Sequence, residues 1–114
     1  MPDLRISPDA KKDLRDIQTY ISEKLESPRA ALNVVSTIIE KIKSLRRFPG
    51  KGILLSSKVR FETNYRFLIS GSYLIFYRYE NETVFVDRVI YAKRDYIKIL
   101  FPEYKDTNFL DEEK

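Results

Sequence analysis

Apolar residues recur every three or four positions through the first half of the chain, which is the period of an amphipathic helix. Ser7-Pro8 and Ser27-Pro28 each precede one such stretch. A serine side chain accepts hydrogen bonds from the free amides of a first helical turn, and proline suits the first helical position. The pattern therefore predicts two helices that meet at a sharp corner, the second ending at FPGKG, residues 48–52. Their apolar stripes are Ala10, Leu14, Ile17, Ile21 and Leu25, and then Ala31, Val35, Ile38, Ile42 and Leu45.

The apolar period changes to two near residue 50, and aromatic and β-branched residues become frequent, as in strands. The N-terminal DLRIS, residues 3–7, alternates in the same way and predicts a short half-buried strand. Short connections between the later strands predict an antiparallel meander, and a last helix is predicted from about Arg94 to Leu100. The later strands are YRFLI (65–69), YLIFYRY (73–79) and TVFVDRVIY (83–91), with a weaker one over Lys58–Glu62.

This order of elements predicts an α+β domain in which a helical hairpin packs on one face of a curved antiparallel sheet, with all helices on that face. A chain of 114 residues is long enough for one core. We assign residues 1–105 to a single domain and residues 106–114 to an acidic tail. No apolar run approaches the roughly 20 residues that span a bilayer, and the N-terminus lacks a signal pattern. We therefore expect a cytoplasmic protein with no membrane partner.

Composition narrows the possible chemistry. The sequence has no cysteine and no histidine, which excludes disulfides, zinc-thiolate sites and the usual general acid–base near neutral pH. We therefore predict no metal site and no cofactor. The net charge is +4, but residues 1–105 alone hold 20 basic and 13 acidic residues, a balance of +7. This charge favours an acidic partner, either a protein or a nucleic acid, although a soluble surface with a cationic bias would also explain it.

Several motifs in order resemble a known family. The first helix carries P-x-A-x-x-D-L-x-x-I-x-x-Y-I, and SPRAA, SLRRFPGKG, YRFLI, YLIFYRY and RVIYAKRDY follow. Over residues 3–101 the chain resembles the RelE/ParE superfamily of toxins from type II toxin–antitoxin modules. The resemblance implies a strand, a helical hairpin and an antiparallel meander with a short C-terminal helix. It also implies a cognate acidic antitoxin as partner and a role in plasmid stabilisation.

The superfamily contains two activities, and the resemblance favours one of them. RelE-like toxins cleave mRNA in the ribosome, which requires proton transfer and cations that hold the phosphate charge. In the RelE-type pattern an arginine stands where this chain has Leu74, and a C-terminal tyrosine falls on Leu100. ParE-like sequences resemble this chain at those places. We therefore expect inhibition of DNA gyrase by binding, with ribosome-dependent mRNA cleavage as the alternative.

The candidate site residues cluster around the segment RVIYAKRDY, residues 88–96. Those predicted to bind the target are Arg88, Tyr91, Lys93, Arg94, Tyr96 and Phe101. Arg66 and Arg94 are the expected contacts for the acidic arm of the antitoxin. No residue is assigned a catalytic role unless the chain is a ribonuclease, for which the candidates are Arg66, Arg88, Arg94 and Tyr96. Arg88 is alternatively an edge arginine paired with a nearby carboxylate such as Asp95.

Two further groups of charges suggest structural roles. The carboxylates Asp13, Asp16 and Glu23 lie near lysines on the first helix, which indicates a solvated face. In FPGKG, two glycines around Lys51 indicate a flexible cationic tip whose main role is to end the helix.

Overall fold

Both predicted Ser-Pro starts begin a helix in the computed structural model, which describes residues 1–103. The Ser7 side chain accepts a hydrogen bond from the Ala10 amide at 2.9 Å, and Ser27 accepts one from the Ala30 amide at 3.3 Å. The elements are β1 (Asp3–Ile6), α1 (Pro8–Thr19) with a π-helical turn (Tyr20–Lys24), α2 (Pro28–Ser44), β2 (Ile53–Leu54), a 3-10 turn (Leu55–Ser57), β3 (Arg66–Ser70), β4 (Tyr73–Glu80), β5 (Thr83–Tyr91) and α3 (Tyr96–Leu100).

The five strands form one mixed sheet in the order β1-β5-β4-β3-β2. The predicted antiparallel meander of β3, β4 and β5 is confirmed. However, β1 pairs parallel to β5, with Leu4 opposite Val84, so the expectation of a wholly antiparallel sheet is wrong. The helical hairpin that follows β1 returns the chain to the end of the sheet where β1 begins, and Arg46 there bonds to Pro2. The later strand β5 can therefore run parallel to β1. The α+β class is confirmed.

The sheet buries apolar residues on both of its faces. Under the helical hairpin lies a first core cluster, whose fully buried members are Ala10, Ile38, Ile42, Leu45, Ile75, Tyr77, Val84 and Val86. On the opposite face lies a second core cluster, formed by Leu55, Val59, Phe67, Leu74, Phe76, Ile90 and Ile97. Successive strand residues point to opposite faces, so the unbroken apolar run at positions 73–77 of β4 requires cover on both sides.

Helix α3 lies on the second face, through Ile97, whereas all helices were predicted on one face. The predicted strand over residues 58–62 is also wrong. The chain instead pairs with β3 earlier, with Ile53 opposite Phe67, and then turns so that Leu55 and Val59 enter the second core cluster. Helix α3 and the segment after β2 share one role. Both cover the apolar side chains that β4 places on its second face.

Three parts of the sequence prediction concern features outside this core. Helix α2 ends at Ser44, ahead of the FPGKG segment that was expected to end it. The predicted acidic tail, residues 106–114, lies outside the described residues, so the division of the chain at residue 105 stays a prediction. Across residues 1–103, no helix has both the length and the apolar character needed to cross a membrane.

Candidate functional site

The segment that joins β5 to α3 exposes two cations. β5 ends at Tyr91, and the Arg94 amide donates back to the Tyr91 carbonyl at 3.0 Å, which closes a tight turn. Asp95 then caps α3, accepting from the Lys98 amide at 3.3 Å. Lys93 and Arg94 are both exposed, and neither forms an ion pair with any residue in 1–103. We call residues 91–95 the cationic junction.

The cationic junction forms one rim of a cleft of about 910 Å³ between the helical hairpin and the β3–β4 turn. Tyr91 and Arg94 line it, and Tyr91 packs edge-on against Tyr73 with ring centroids 5.9 Å apart. Burial raises the pKa of the Tyr73 hydroxyl, and the neighbouring Tyr20 and Tyr91 raise it further, so this phenol is neutral at neutral pH. Much of the remaining wall is apolar, from Ile17, Ile21, Leu25, Val34 and Val89.

Three charged side chains reach this cleft, and two of them have partners. Asp16 pairs with Lys12 at 2.8 Å, and Asp13 pairs with Arg88. Among the described residues, Arg94 is therefore the one charged group of the cleft wall with no ion-pair partner. An anionic group that enters the cleft would meet this guanidinium beside an apolar wall, where charge-assisted hydrogen bonds are strong.

Arg88 holds helix α1 against β5 instead of joining the exposed cations. Its Nε and Nη2 atoms donate to the two carboxylate oxygens of Asp13 at 2.8 and 2.9 Å. Asp13 also accepts from the Val89 amide at 2.8 Å. These hydrogen bonds to Asp13 raise the pKa of Arg88 above its usual value, against the effect of burial. The predicted pairing with Asp95 is wrong, and so is the interpretation of Asp13 as part of a solvated face, since its side chain is only 12% exposed.

Tyr96 and Phe101 lie on the other face of the sheet from the cleft. Tyr96 packs on Phe76 with ring centroids 5.3 Å apart, and Phe101 packs edge-on against Phe61 and Tyr65 at 5.1 and 5.8 Å. Both side chains join the second core cluster. Burial, and then the charge of Asp95, raises the pKa of Tyr96. The structure therefore separates these two predicted target-binding residues from the cationic junction.

Arg66 is also separated from the junction. It lies at the start of β3, four residues or about 13 Å along the strand from the β3–β4 turn. Its Nη1 atom donates to the carbonyls of Gly50 and Gly52, both at 3.0 Å. Of the predicted site residues, the structure brings together only Tyr91, Lys93 and Arg94.

The two leucines that depart from the RelE-type pattern are core residues. Leu74 is 8% exposed and lies in the second core cluster. Leu100 is half-buried and packs against the same cluster. Both positions therefore contribute to packing on the face opposite the cleft.

Sequence reasoning missed the Tyr77 hydroxyl and the loop that it holds. This hydroxyl donates to the Pro49 carbonyl at 2.8 Å and accepts from the Gly52 amide at 2.9 Å. A Cβ atom at Gly52 would lie 2.6 Å from the same oxygen, so the backbone approaches as only glycine permits. The FPGKG segment is thus fastened at several points, and the expected flexible tip is wrong. The available signal was the second glycine, because a residue without a Cβ atom allows a close approach of this kind.

A comparison with known protein families identifies the family of this chain. A family model described as the ParE toxin of the type II toxin-antitoxin system parDE matches residues 4–96. The chain belongs to the ParE toxin family. The membership predicted from the sequence motifs is therefore confirmed, and the matched residues include helices α1 and α2, all of the sheet except Asp3, and the cationic junction.

The fold of this ParE-family chain is also similar to a solved structure. That structure is described as the chromosomal ParDE TA system from P. aeruginosa. The TM-score is 0.67 at 22% sequence identity, and the similarity covers 82% of this chain and 98% of that one. No curated protein matches the chain.

Proposed function

We propose that this ParE-family toxin arrests growth by binding and inhibiting DNA gyrase, without cleaving a nucleic acid itself. The observation that carries the proposal is the exposed cationic junction, where Lys93 and Arg94 have no ion-pair partner within residues 1–103. Unpaired cations beside an apolar cleft suit a contact surface, because they retain their charge for a partner and the cleft provides burial. Such a surface has no need of a positioned proton donor.

The arrangement of the other candidates argues against a ribonuclease. Phosphodiester cleavage requires a base, an acid and phosphate-binding cations close to one another. The candidates for these roles are spread over three places, because Arg66 is tied to the loop at Gly50 and Gly52, Arg88 is tied to Asp13, and Tyr96 faces the second core cluster. Only Arg94 faces the cleft.

The experiment that tests the target compares two assays with the same purified full-length toxin. One assay measures gyrase supercoiling, and the other measures mRNA integrity on translating ribosomes. We expect loss of supercoiling with intact mRNA. Codon-dependent cleavage of mRNA with normal supercoiling would contradict the proposal and support the RelE-like alternative.

A toxin of this family acts within a toxin–antitoxin system, so an antitoxin partner follows from the family. We propose that the toxin is cytoplasmic and that its partner carries an acidic arm, which enters the cleft and covers Arg94. We also propose that the module contributes to plasmid stabilisation. The support is the match between a carboxylate-bearing arm and an unpaired guanidinium on an apolar wall. Arg66, the second predicted contact, lies away from this cleft and already binds two carbonyls.

The antitoxin proposal is tested by measuring its affinity for toxin variants. Arg94→Glu places a carboxylate against the arm, so we expect at least about tenfold weaker binding, because like charges at an interface are strongly disfavoured. Arg66→Gln is the matched comparison and should bind nearly as the original protein does. Equal affinity of the Arg94 variant and the original protein would exclude this surface.

A further inference from the structure

The positive charge of this protein is concentrated in one segment. Residues 41–61 contain seven basic residues and no acidic residue. This balance of +7 equals that of all residues 1–105, so the remainder of the domain is neutral. A soluble surface requires no such segregation, and interspersed charges of both signs are the ordinary arrangement. The segment is a basic surface that the cationic junction does not explain.

Five cations of this segment, Lys41, Lys43, Arg46, Arg47 and Lys51, have no carboxylate partner within residues 1–103. Lys41 donates to the Ile69 carbonyl at 3.0 Å, and Arg46 donates to the Pro2 carbonyl at 3.2 Å, which are neutral acceptors. Lys43, Arg47 and Lys51 are exposed. None of these five cations forms an ion pair with another residue in the part of the chain that the structure describes.

The surface is also held in shape. Consecutive turns follow α2, with the Phe48 amide bonded to the Ser44 carbonyl at 3.2 Å and the Lys51 amide bonded to the Phe48 carbonyl at 3.2 Å. Tyr77 and Arg66 then fasten the loop from below through the bonds described above. Phe48 remains 61% exposed in the middle of the basic residues. We call the exposed side chains of Lys43, Arg46, Arg47, Phe48 and Lys51 the basic corner.

We propose that the basic corner binds the phosphate backbone of double-stranded DNA. Lysine and arginine on a fixed backbone neutralise phosphates, and this term dominates sequence-independent DNA binding. A protein partner is a poorer match, because charged residues are depleted at the core of protein interfaces, whereas four of the five residues of the basic corner are cations. The choice of DNA over RNA rests on the proposed function, since gyrase acts on DNA. The toxin would hold gyrase through the cationic junction and its DNA through the basic corner.

The test measures binding of the full-length toxin alone to a labelled DNA duplex of about 20 base pairs, by fluorescence anisotropy between about 50 and 200 mM salt. The variant is Arg47→Glu with Lys51→Glu. Lys12→Glu with Lys24→Glu is the control, because it changes the net charge equally on exposed helical positions. A milder pair, Arg47→Gln with Lys51→Gln, and a urea unfolding curve for each protein separate loss of binding from loss of fold.

We expect the original toxin to bind the duplex with a strong salt dependence. The basic-corner variant should bind about tenfold more weakly, with a log–log salt slope reduced by about two, since each lost phosphate contact removes roughly 0.9. The control should keep the slope. No binding by the original toxin at about 50 mM salt, or an equal loss in the control, would overturn the proposal.

Other occupants give distinct results. Tighter binding to an RNA duplex of the same sequence would overturn the choice of DNA. Loss of antitoxin binding in the basic-corner variant, with DNA binding intact, would show that the surface serves the protein partner instead. Gyrase inhibition without DNA binding would contradict DNA binding by the basic corner and leave the proposed function standing. DNA binding without gyrase inhibition would contradict the proposed function and leave DNA binding by the basic corner standing.

Discussion

Arg88 and Arg94 lie close together in the sequence, yet their regions of the fold use arginine in opposite ways. The Arg88 guanidinium forms an ion pair with Asp13, and this pair joins α1 to β5. Around Arg94 the guanidinium is exposed at the rim of the cleft, with no ion-pair partner in residues 1–103. The difference teaches that the position of a carboxylate distant in sequence, and not the arginine itself, decides which cation is free to bind a partner.

Breaking the Arg88 region should have the largest effect on stability. Asp13→Ala removes the acceptor of three hydrogen bonds and leaves a mostly buried guanidinium and the Val89 amide without a partner. We expect a loss of about 3 kcal/mol in the free energy of unfolding, measured in urea. Asp16→Ala is the control, because Asp16 is exposed and, within residues 1–103, pairs with Lys12 alone. If the Asp13 variant unfolded at the same urea concentration as the Asp16 variant, the Asp13–Arg88 pair would not be what joins α1 to β5.

The loop that Arg66 binds is also held by the Tyr77 hydroxyl, which bonds to Pro49 and Gly52. Tyr77→Phe removes this hydroxyl. We expect a loss of about 2 kcal/mol, because the buried Gly52 amide and the part-buried Pro49 carbonyl both lose a partner. Hydrogen exchange at the Gly52 amide should become faster. Tyr79→Phe, at an exposed tyrosine, should change neither quantity, and slow exchange retained in the Tyr77 variant would refute the role given to this hydroxyl.

The free cation should behave differently, with a loss of function at unchanged stability. Arg94→Ala removes an exposed side chain that has no ion-pair partner in residues 1–103, so the urea midpoint should not move. We expect gyrase inhibition to fall about tenfold, the usual scale for one charged contact of an interface. Toxicity in cells should fall with it, at equal protein levels. Full inhibition by this variant would place the gyrase-binding surface elsewhere.

The smallest effect is expected from an exposed pair on α1. Lys12→Ala breaks an ion pair in which both side chains are more than half exposed. Such pairs contribute on the order of 0.3 kcal/mol. Stability and gyrase inhibition should both remain near their original values. A large loss of inhibition here would show that the active surface extends along α1.

Local patterns predicted the elements well. The Ser-Pro pairs marked both helix starts, and β5 occupies residues 83–91 as the alternation indicated. β2 was missed because a strand of two residues has too little pattern to detect. The position of α3 was missed because it depends on which face of β4 remains uncovered, and that is a property of the assembled sheet.

The candidate site was predicted only in part, for a similar reason. The cationic junction was identified from Lys93 and Arg94, which are close in sequence. The roles of Arg88 and Asp13 were missed because the two residues are 75 positions apart and meet only after folding. Asp13 also lies among lysines on its helix, so local spacing alone suggested a solvated carboxylate.

The parallel pairing of β1 with β5 has a consequence for the synthesis of this toxin. β1 spans residues 3–6 and finds its partner only at residues 83–86. A nascent chain therefore cannot complete its sheet until most of it has left the ribosome, and contacts of such long range form slowly. Because the cleft needs both the helical hairpin and the end of β5, a partly synthesised or truncated chain lacks the surface that we propose binds the target. That surface is complete only late in translation.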